Sequence, residues 1–417
     1  MTATLPLGHH LRLLEGGRAL FPAMVQAMER ARRLIHVETY ILVFANASLA
    51  VAEALVRAAQ RGVEVRLVVD AVGTPEIPPE WQRRFADAGV QWRTYAPLGR
   101  LGLLIPSRWR RLHRKLCVVD GVVGFCGGIN LIDDQDDVVL GRLVQPRLDY
   151  AVEVSGPLVA EMLATMERLW WRLQAVGQLR GHAFRAAWRN AWRSSSGAVM
   201  GLPRRWRRWL RHRQATAADE AAAVVQGARA AIVWRDNVRH RHDIERAYLS
   251  AIEGARREVI IANAYFIPGR RLRHALAQAA ARGVRVRLLV QGKYERFLQY
   301  HAPRPVHAWL LRRGIQIHEY APSALHAKVA LVDTHWATVG STNLDPISLL
   351  LAREANVVTT DARFVRQLRA RLDHLLHTAG VALELSALQR RPWHERARDW
   401  VAFAVMRAVL FITGHRY

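Results

Sequence analysis

The sequence predicts an α/β protein built as a tandem duplication, two halves that each hold a mixed central sheet between helices. Three observations predict it. At 417 residues the chain is too long for one ordinary domain, and its 51% hydrophobic content is ample for two buried cores. His113, Lys115, Asp120 and Asn130 each recur 213 positions later, as His326, Lys328, Asp333 and Asn343. Stretches of helical period alternate with short, β-rich apolar runs in both parts.

The likeness of the halves begins upstream of these motifs. Ala31 to Tyr40 is answered by Ala255 to Tyr265, and Arg61 to Arg66 by Arg282 to Arg287. Leu49 to Gln60 and Arg271 to Ala281 have helical period and run into Gly62 and Gly283, a helix-stop signal. Val63 to Asp70, Val284 to Gln291, Leu116 to Val119 and Val329 to Val332 are nearly continuous in apolar residues, as strands covered on both faces are. The histidine and lysine of each motif fall at the start of such a strand. Period two sends both to one side of the sheet, and the aspartate follows at the strand's end, before a turn.

Between the halves, Arg180 to Arg213 holds ten arginines, no acidic residue, and Trp188, Trp192, Trp206 and Trp209. The tryptophan spacings of four and three put each pair on one helical face, and the stretches Ser194 to Gly197 and Gly201 to Pro203 divide the segment in two. The predicted division is therefore a first half over 1–175, an insert or linker over 176–218, a second half over 219–381 and a tail over 382–417.

Charge and cysteine usage narrow the function classes. Sixty-one basic against 35 acidic residues give +26, a field that draws the chain toward polyanions, whether nucleic acid or an anionic membrane face. Cys117 and Cys126 lie in apolar surroundings, which fits two reduced core residues rather than a disulfide or metal site. Met1 to Arg18 lacks the pattern of a signal peptide, so a cytoplasmic location is expected. No apolar run reaches the ~20 residues needed to cross a bilayer. The longest, Trp400 to Ile412, is interrupted by Arg407, and reads equally as a surface anchor or as a helix packed on the body.

Only three of the basic residues are lysine: Lys115, Lys293 and Lys328. Two of them sit two residues after a histidine in the repeated motif, in a chain that otherwise uses arginine for positive charge. A compact ammonium fills a niche that the wide, planar guanidinium does not. The set suits phosphoryl chemistry. A neutral imidazole is a competent nucleophile toward phosphorus, and a second can protonate a departing alkoxide and then deprotonate an incoming one. The lysines would neutralise the non-bridging oxygens, and Asn130 and Asn343 could add hydrogen bonds. Such a site needs no metal or other cofactor, and with lysine charged at neutral pH and no clustered carboxylates or thiolates it would be a poor metal site.

These residues resemble the signature of the phospholipase D superfamily, His-x-Lys-(x)4-Asp-(x)6-Gly-[Gly/Ser]-x-Asn, complete from His113 to Asn130 and from His326 to Asn343. The resemblance covers about Leu7 to Leu173 and Ala223 to Ala379. It implies a tandem duplicated phospholipase D fold, two α/β/α sandwich halves that share one active site at their interface. It further implies a covalent phosphohistidine, with His113 the preferred nucleophile and His326 the general acid and then base. An acidic residue beyond each motif is expected to orient the opposing histidine, and Glu354 and Asp149 occupy the matching positions. Asp120 and Asp333 belong to the motif, but their place between strand and turn suits structural hydrogen bonding. The copies differ where Gly128 answers Ser341, both expected beside the substrate, Gly128 through a backbone amide.

Within the superfamily, Val37 to Ile41, Asn263 to Pro268, Gly127 to Asn130 and Gly340 to Asp345 look like segments of bacterial cardiolipin synthases of the short type without transmembrane helices. That resemblance implies transfer of a phosphatidyl group from one phosphatidylglycerol to another, with release of glycerol. It also implies a peripheral place on the cytoplasmic side of the inner membrane. Arg180 to Arg213 is the expected contact with anionic phospholipid, at roughly 1 kcal/mol per arginine near the surface, and a disordered basic linker is the alternative. Other readings are a phospholipase D-type hydrolase, transfer to a different acceptor such as phosphatidylethanolamine, and a nuclease. Nucleic acid is not required by the first reading.

Overall fold

The structure, a computed structural model, describes residues 5–97, 109–180, 227–236, 240–294, 297–345 and 352–412. The insert, apart from the end of the helix that enters it, lies outside these residues.

In the first half the elements run β1 (His10–Glu15), α1 (Gly17–Glu29), β2 (Leu34–Thr39), α2 (Asn46–Gln60), β3 (Glu64–Asp70), α3 (Pro79–Ala88), β4 (Gln91–Tyr95), β5 (Arg111–Leu112), β6 (Lys115–Val119), β7 (Val123–Gly127), β8 (Asp136–Asp137), β9 (Gly141–Arg142), β10 (Tyr150–Ser155) and α4 (Leu158–Arg180). The second continues with β11 (Ala230–Arg235), α5 (Asp243–Glu253), β12 (Glu258–Asn263), α6 (Arg270–Ala281), β13 (Arg285–Gln291), α7 (Phe297–His301), α8 (Arg304–Leu311), β14 (Gln316–Tyr320), β15 (Lys328–Val332), β16 (Trp336–Gly340), β17 (Ala352–Thr359), α9 (Ala362–Thr378), β18 (Gly380–Ala382), α10 (Leu385–Arg390) and α11 (Trp393–Ile412).

The duplication is visible strand by strand. One sheet has the order β1-β10-β7-β6-β2-β3-β4 and the other β11-β17-β16-β15-β12-β13-β14, extended at its edge by β18. In each, β2 or β12 pairs in parallel with the strand after it and antiparallel with the motif strand β6 or β15. The sheets are mixed, as expected, and helices cover them. Helices α2 and α6 stop where the sequence places their stops, with Gly62 at φ +85° and Gly283 at φ +86°. Their buried faces, Val51, Leu55 and Ala58 in α2 and Leu272, Leu276 and Ala279 in α6, repeat at helical spacing.

Each half has its own apolar core, the first around Phe21, Leu55, Leu67 and Phe85 and the second around Tyr248, Leu276, Leu288 and Leu310. A third core belongs to both. In it Val118, Tyr150 and Val152 of the first half join Val329, Leu331 and Val357 of the second, with Met162 from α4 and Leu368 from α9. At roughly 1.5–3 kcal/mol for each fully buried aliphatic side chain, this shared core joins the halves into one body.

Cys117 and Cys126 are buried and unpaired, and burial pushes the Cys126 thiol up to about 12. The tail helix α11 packs on the second half through Ala402, Phe403 and Met406 while Trp393, Trp400, Val401 and Val405 stay exposed. No described helix is long and apolar enough to cross a membrane.

Candidate active site at the junction of the halves

Two short backbone pairings bring the motifs together. Leu112 of β5 pairs in parallel with Arg353 of β17, and Leu148 forms a parallel bridge with Leu325. As a result the His113 amide donates to the Arg353 carbonyl at 3.1 Å, and the His326 amide donates to the Leu148 carbonyl at 2.8 Å. The residue after each of those carbonyls is an acid. Glu354 Oε1 lies 2.9 Å from His113 Nδ1, and Asp149 Oδ2 lies 2.6 Å from His326 Nδ1. Each histidine is thus held by a carboxylate of the opposite half, which fixes the proton on Nδ1 and leaves Nε2 for chemistry.

The lysines follow at the first residues of β6 and β15, where their aliphatic stems are buried and the ammonium groups turn back toward the histidines. Lys115 Nζ donates to the His113 carbonyl at 2.6 Å, Lys328 Nζ to the His326 carbonyl, and Lys328 Nζ also stands 3.8 Å from Asp149 Oδ2. The exposed edge is small, with His113 15% and His326 19% exposed. A reacting phosphorus would therefore sit in a low-dielectric pocket where these charges act strongly.

Burial lowers the His113 pKa against the pull of Glu354, and Lys115 adds to the lowering. His326 is held well below its ordinary value by burial, then by Lys328 and Lys115. Burial brings Lys115 down to about 7, against Glu354 and with the help of Lys328. The carboxylates differ. Burial raises Asp149 to about 6 despite Lys328, whereas Glu354, which burial also pushes up, ends below its ordinary value because of His113, Lys115 and the Ser341 hydroxyl. Two buried lysines that oppose each other's charge form a site in want of an anion.

The other residues expected at the site take varied places. Asn130 Oδ1 accepts the Ile41 amide at 3.3 Å, and Asn343 is buried with Oδ1 lacking a partner among the described residues. Asp120 and Asp333 lie at the far ends of the motif strands, at φ +53° and +50°. The Asp120 carboxylate accepts the amides of Arg32, Arg33 and Leu34, and Asp333 those of Arg256, Arg257 and Glu258. Both clamp the entry of the neighbouring strand, and neither reaches the histidines through these bonds.

Gly128 and Ser341, expected to contact substrate, have their donors engaged elsewhere. Their amides donate to the carbonyls of Tyr150 and Ala355, and the Ser341 hydroxyl donates to Glu354 Oε2 at 2.5 Å. A Cβ on Gly128 would meet Asp149 Oδ1 at 2.4 Å. The two positions therefore differ because the acids do: the longer Glu354 leaves room for a hydroxyl, and the shorter Asp149 fills that room itself.

Three residues at the site escape sequence reasoning. The Tyr40 ring stands edge-on to His113 at 5.1 Å between centroids, with Lys115 Nζ 5.5 Å from its centre. Asp70 Oδ2 accepts the Leu112 amide at 2.7 Å and Gln291 Oε1 the Leu325 amide at 3.3 Å, so each fixes the residue just before a histidine. The signal was present, since Tyr40 answers Tyr265 in the repeat and Asp70 and Gln291 end matching strands.

This duplicated sheet order, with one histidine-lysine pair from each half at a shared junction, is a phospholipase D-like architecture. The phosphatidylserine synthase structure from Haemophilus influenzae shares the fold, with a TM-score of 0.66 over 97% of this chain and 96% of that one, at 13% identity. The family described as "Cardiolipin synthase, PLD-like domain" matches residues 24–170 and 248–376, and the chain belongs to it. Its relatives include cardiolipin synthase B of Salmonella typhi, 38% identical over 98% of this chain and 90% of that protein. Cardiolipin synthase B of Escherichia coli K12 is 36% identical over the same shares, and cardiolipin synthase A of Pseudomonas putida 30% identical over 93% and 72%.

Proposed function

We propose that the chain is a phosphatidyltransferase that makes cardiolipin from two molecules of phosphatidylglycerol, releasing glycerol. His113 Nε2 attacks the phosphorus of the first lipid. The bond from phosphorus to the glycerol oxygen breaks, and His326 supplies the proton that leaves with it. The terminal hydroxyl of a second phosphatidylglycerol then gives its proton to His326, its oxygen attacks phosphorus, and the bond to His113 breaks. Lys115 and Lys328 balance the charge on the non-bridging oxygens throughout. The observation that carries this reading is the crossed pair of bonds, His113 to Glu354 and His326 to Asp149, which presents two Nε2 atoms to one site. Glu354, whose carboxyl stays ionised, is the better partner for the histidine that acquires positive charge as the phosphohistidine forms, and this supports His113 as nucleophile.

A phosphodiester anion bound between the lysines would raise the pKa of both histidines from their low values in the empty site, returning His326 to the range where it donates a proton. In the same reading, Asp120 and Asp333 support the fold of the motif, and the chain divides into halves at 1–175 and 219–381 with the insert at 176–218 and the tail from 382. It works as a peripheral protein on the cytoplasmic side of the bacterial inner membrane. The excess of basic residues and the exposed Trp393 and Trp400 on α11 support contact with anionic lipid.

The test is product analysis of the purified protein with phosphatidylglycerol vesicles. Cardiolipin and glycerol in equal amounts are expected. Cardiolipin formation that persists in His113→Ala or His326→Ala would overturn the mechanism.

A further inference from the structure

Lys293 stands outside both motifs, yet the duplication gives it a counterpart. The Val72 amide donates to Asp70 Oδ1 at 2.8 Å, and the Lys293 amide donates to Gln291 Oε1 at 3.2 Å. Asp70 and Gln291 are the equivalent residues that hold the positions before the two histidines. Val72 and Lys293 are therefore the same place in the two halves, apolar in one and cationic in the other.

Lys293 borders a small pocket, partly open to solvent, whose walls include Ala264, Tyr265, Gln299, Arg304 and His307. The pocket adjoins the catalytic strand, because the Ala264 amide donates at 3.0 Å to the carbonyl of Ala327, the residue between His326 and Lys328. Arg304 is matched by Glu319 at 2.6 Å. Lys293 Nζ donates only to the Pro322 carbonyl, at 3.2 Å, which leaves two of its three hydrogens without an acceptor among the described residues. His307 is 4% exposed, and among the described residues its ring nitrogens make no hydrogen bond of normal geometry, with the Phe266 backbone the nearest partner. Burial, reinforced by Arg304, brings its pKa to about 3, so the ring stays neutral and can both donate and accept. Gln299 Oε1 is also buried, without a partner among the described residues.

An ammonium with spare hydrogens at the edge, and the Gln299 amide oxygen and the neutral, weakly bonded His307 ring deeper in, form a set that suits a phosphodiester with a hydroxylated neighbour. The reaction supplies such a group, and the inference rests on that reading. With the phosphatidyl group on His113, the acceptor hydroxyl must reach His326, and its own phosphodiester then lies one glycerol length away on the side of the second half. We propose that this pocket receives the phosphodiester of the acceptor lipid, with Lys293 as its counter-charge, and so selects a phospholipid over a simple alcohol as acceptor. The first half, which takes the donor, has Val72 at the equivalent place.

The experiment uses the full-length protein, phosphatidylglycerol vesicles and added butanol, and measures cardiolipin and phosphatidylbutanol together. Both products form from one phosphatidyl-enzyme, so effects on the donor cancel in their ratio. Lys293→Gln should lower the ratio of cardiolipin to phosphatidylbutanol about tenfold, the scale of one charged hydrogen bond, and Lys293→Arg should restore much of it. A ratio unchanged in Lys293→Gln, including an equal fall in both products, would overturn the proposal. A wild-type protein that made neither product would instead overturn the phosphatidyl-transfer reading itself.

Discussion

His113 and Glu354 are 241 positions apart in the chain and share a hydrogen bond of 2.9 Å between Nδ1 and Oε1. The bond crosses from one half to the other, so neither half holds a complete site. Glu354→Gln keeps an acceptor but removes the charge that steadies an imidazolium-like nitrogen. Turnover is expected to fall by about 10²–10⁴-fold, the range seen when a histidine loses its orienting carboxylate, with an unchanged melting temperature. Steady-state rates and a thermal melt on the same preparation check this.

Gly128 and Ser341 give a less obvious prediction. Gly128→Ser places a side chain where Asp149 Oδ1 lies 2.4 Å from the new Cβ, so the carboxylate must leave His326 and activity should fall at least tenfold. Gly128→Ser combined with Asp149→Glu copies the second half's arrangement and should recover a large part of it. A double variant as inactive as the single one would count against this geometric account.

The pH profile follows from Lys115. Its pKa is brought down to about 7 by burial, so its charge is present below that pH and is lost above it. Because kcat/KM reports the free enzyme, its fall begins below pH 7 with the proton of His326 and should steepen as pH rises through about 7. A bound phosphodiester raises the ammonium pKa, so kcat should hold to higher pH. Lys115→Arg should lose that steepening near pH 7, with rates lowered throughout because the guanidinium does not fit the same niche. A wild-type kcat/KM that is flat to pH 9 would contradict this.

Stability at the junction rests partly on a buried ion pair. Arg114 donates to Glu38 at 2.9 Å through Nη2 and again through Nε, with side chains 3% and 0% exposed, and its guanidinium lies 5.5 Å from the ring of Trp234 in the other half. Glu38→Ala strands that charge, at a cost of about 3–5 kcal/mol. Replacing both residues by leucine removes the unpaired charge and should recover most of the loss in urea denaturation.

Much of this was legible in the sequence because a duplication shows where two halves must agree. The paired motifs, the strands β6 and β15 that carry them, and the strands β3 and β13 follow from spacing and apolar runs. The sheet order does not, since β1 pairs with β10 across more than a hundred residues and no local pattern records it. The same limit applies at the site. That Gly128 answers Ser341 is visible in the sequence, but the reason lies in Asp149 and Glu354, which reach those positions only through strand pairing. Tyr40, Asp70 and Gln291 stand at repeated positions, but their contacts are with residues distant in sequence that meet them only in the folded chain. The arginine-rich insert, legible as composition, lies outside the described residues.

The central claim, one phosphatidyl-transfer site shared by two halves with His113 as nucleophile, is tested most directly by mapping the covalent intermediate. Wild-type protein is mixed with phosphatidylglycerol, quenched and digested under conditions that preserve phosphohistidine, and its peptides are analysed by mass spectrometry. The account predicts a phosphatidyl adduct on His113 that is absent from His113→Ala. An adduct on His326, or cardiolipin made with no adduct on either histidine, would contradict it.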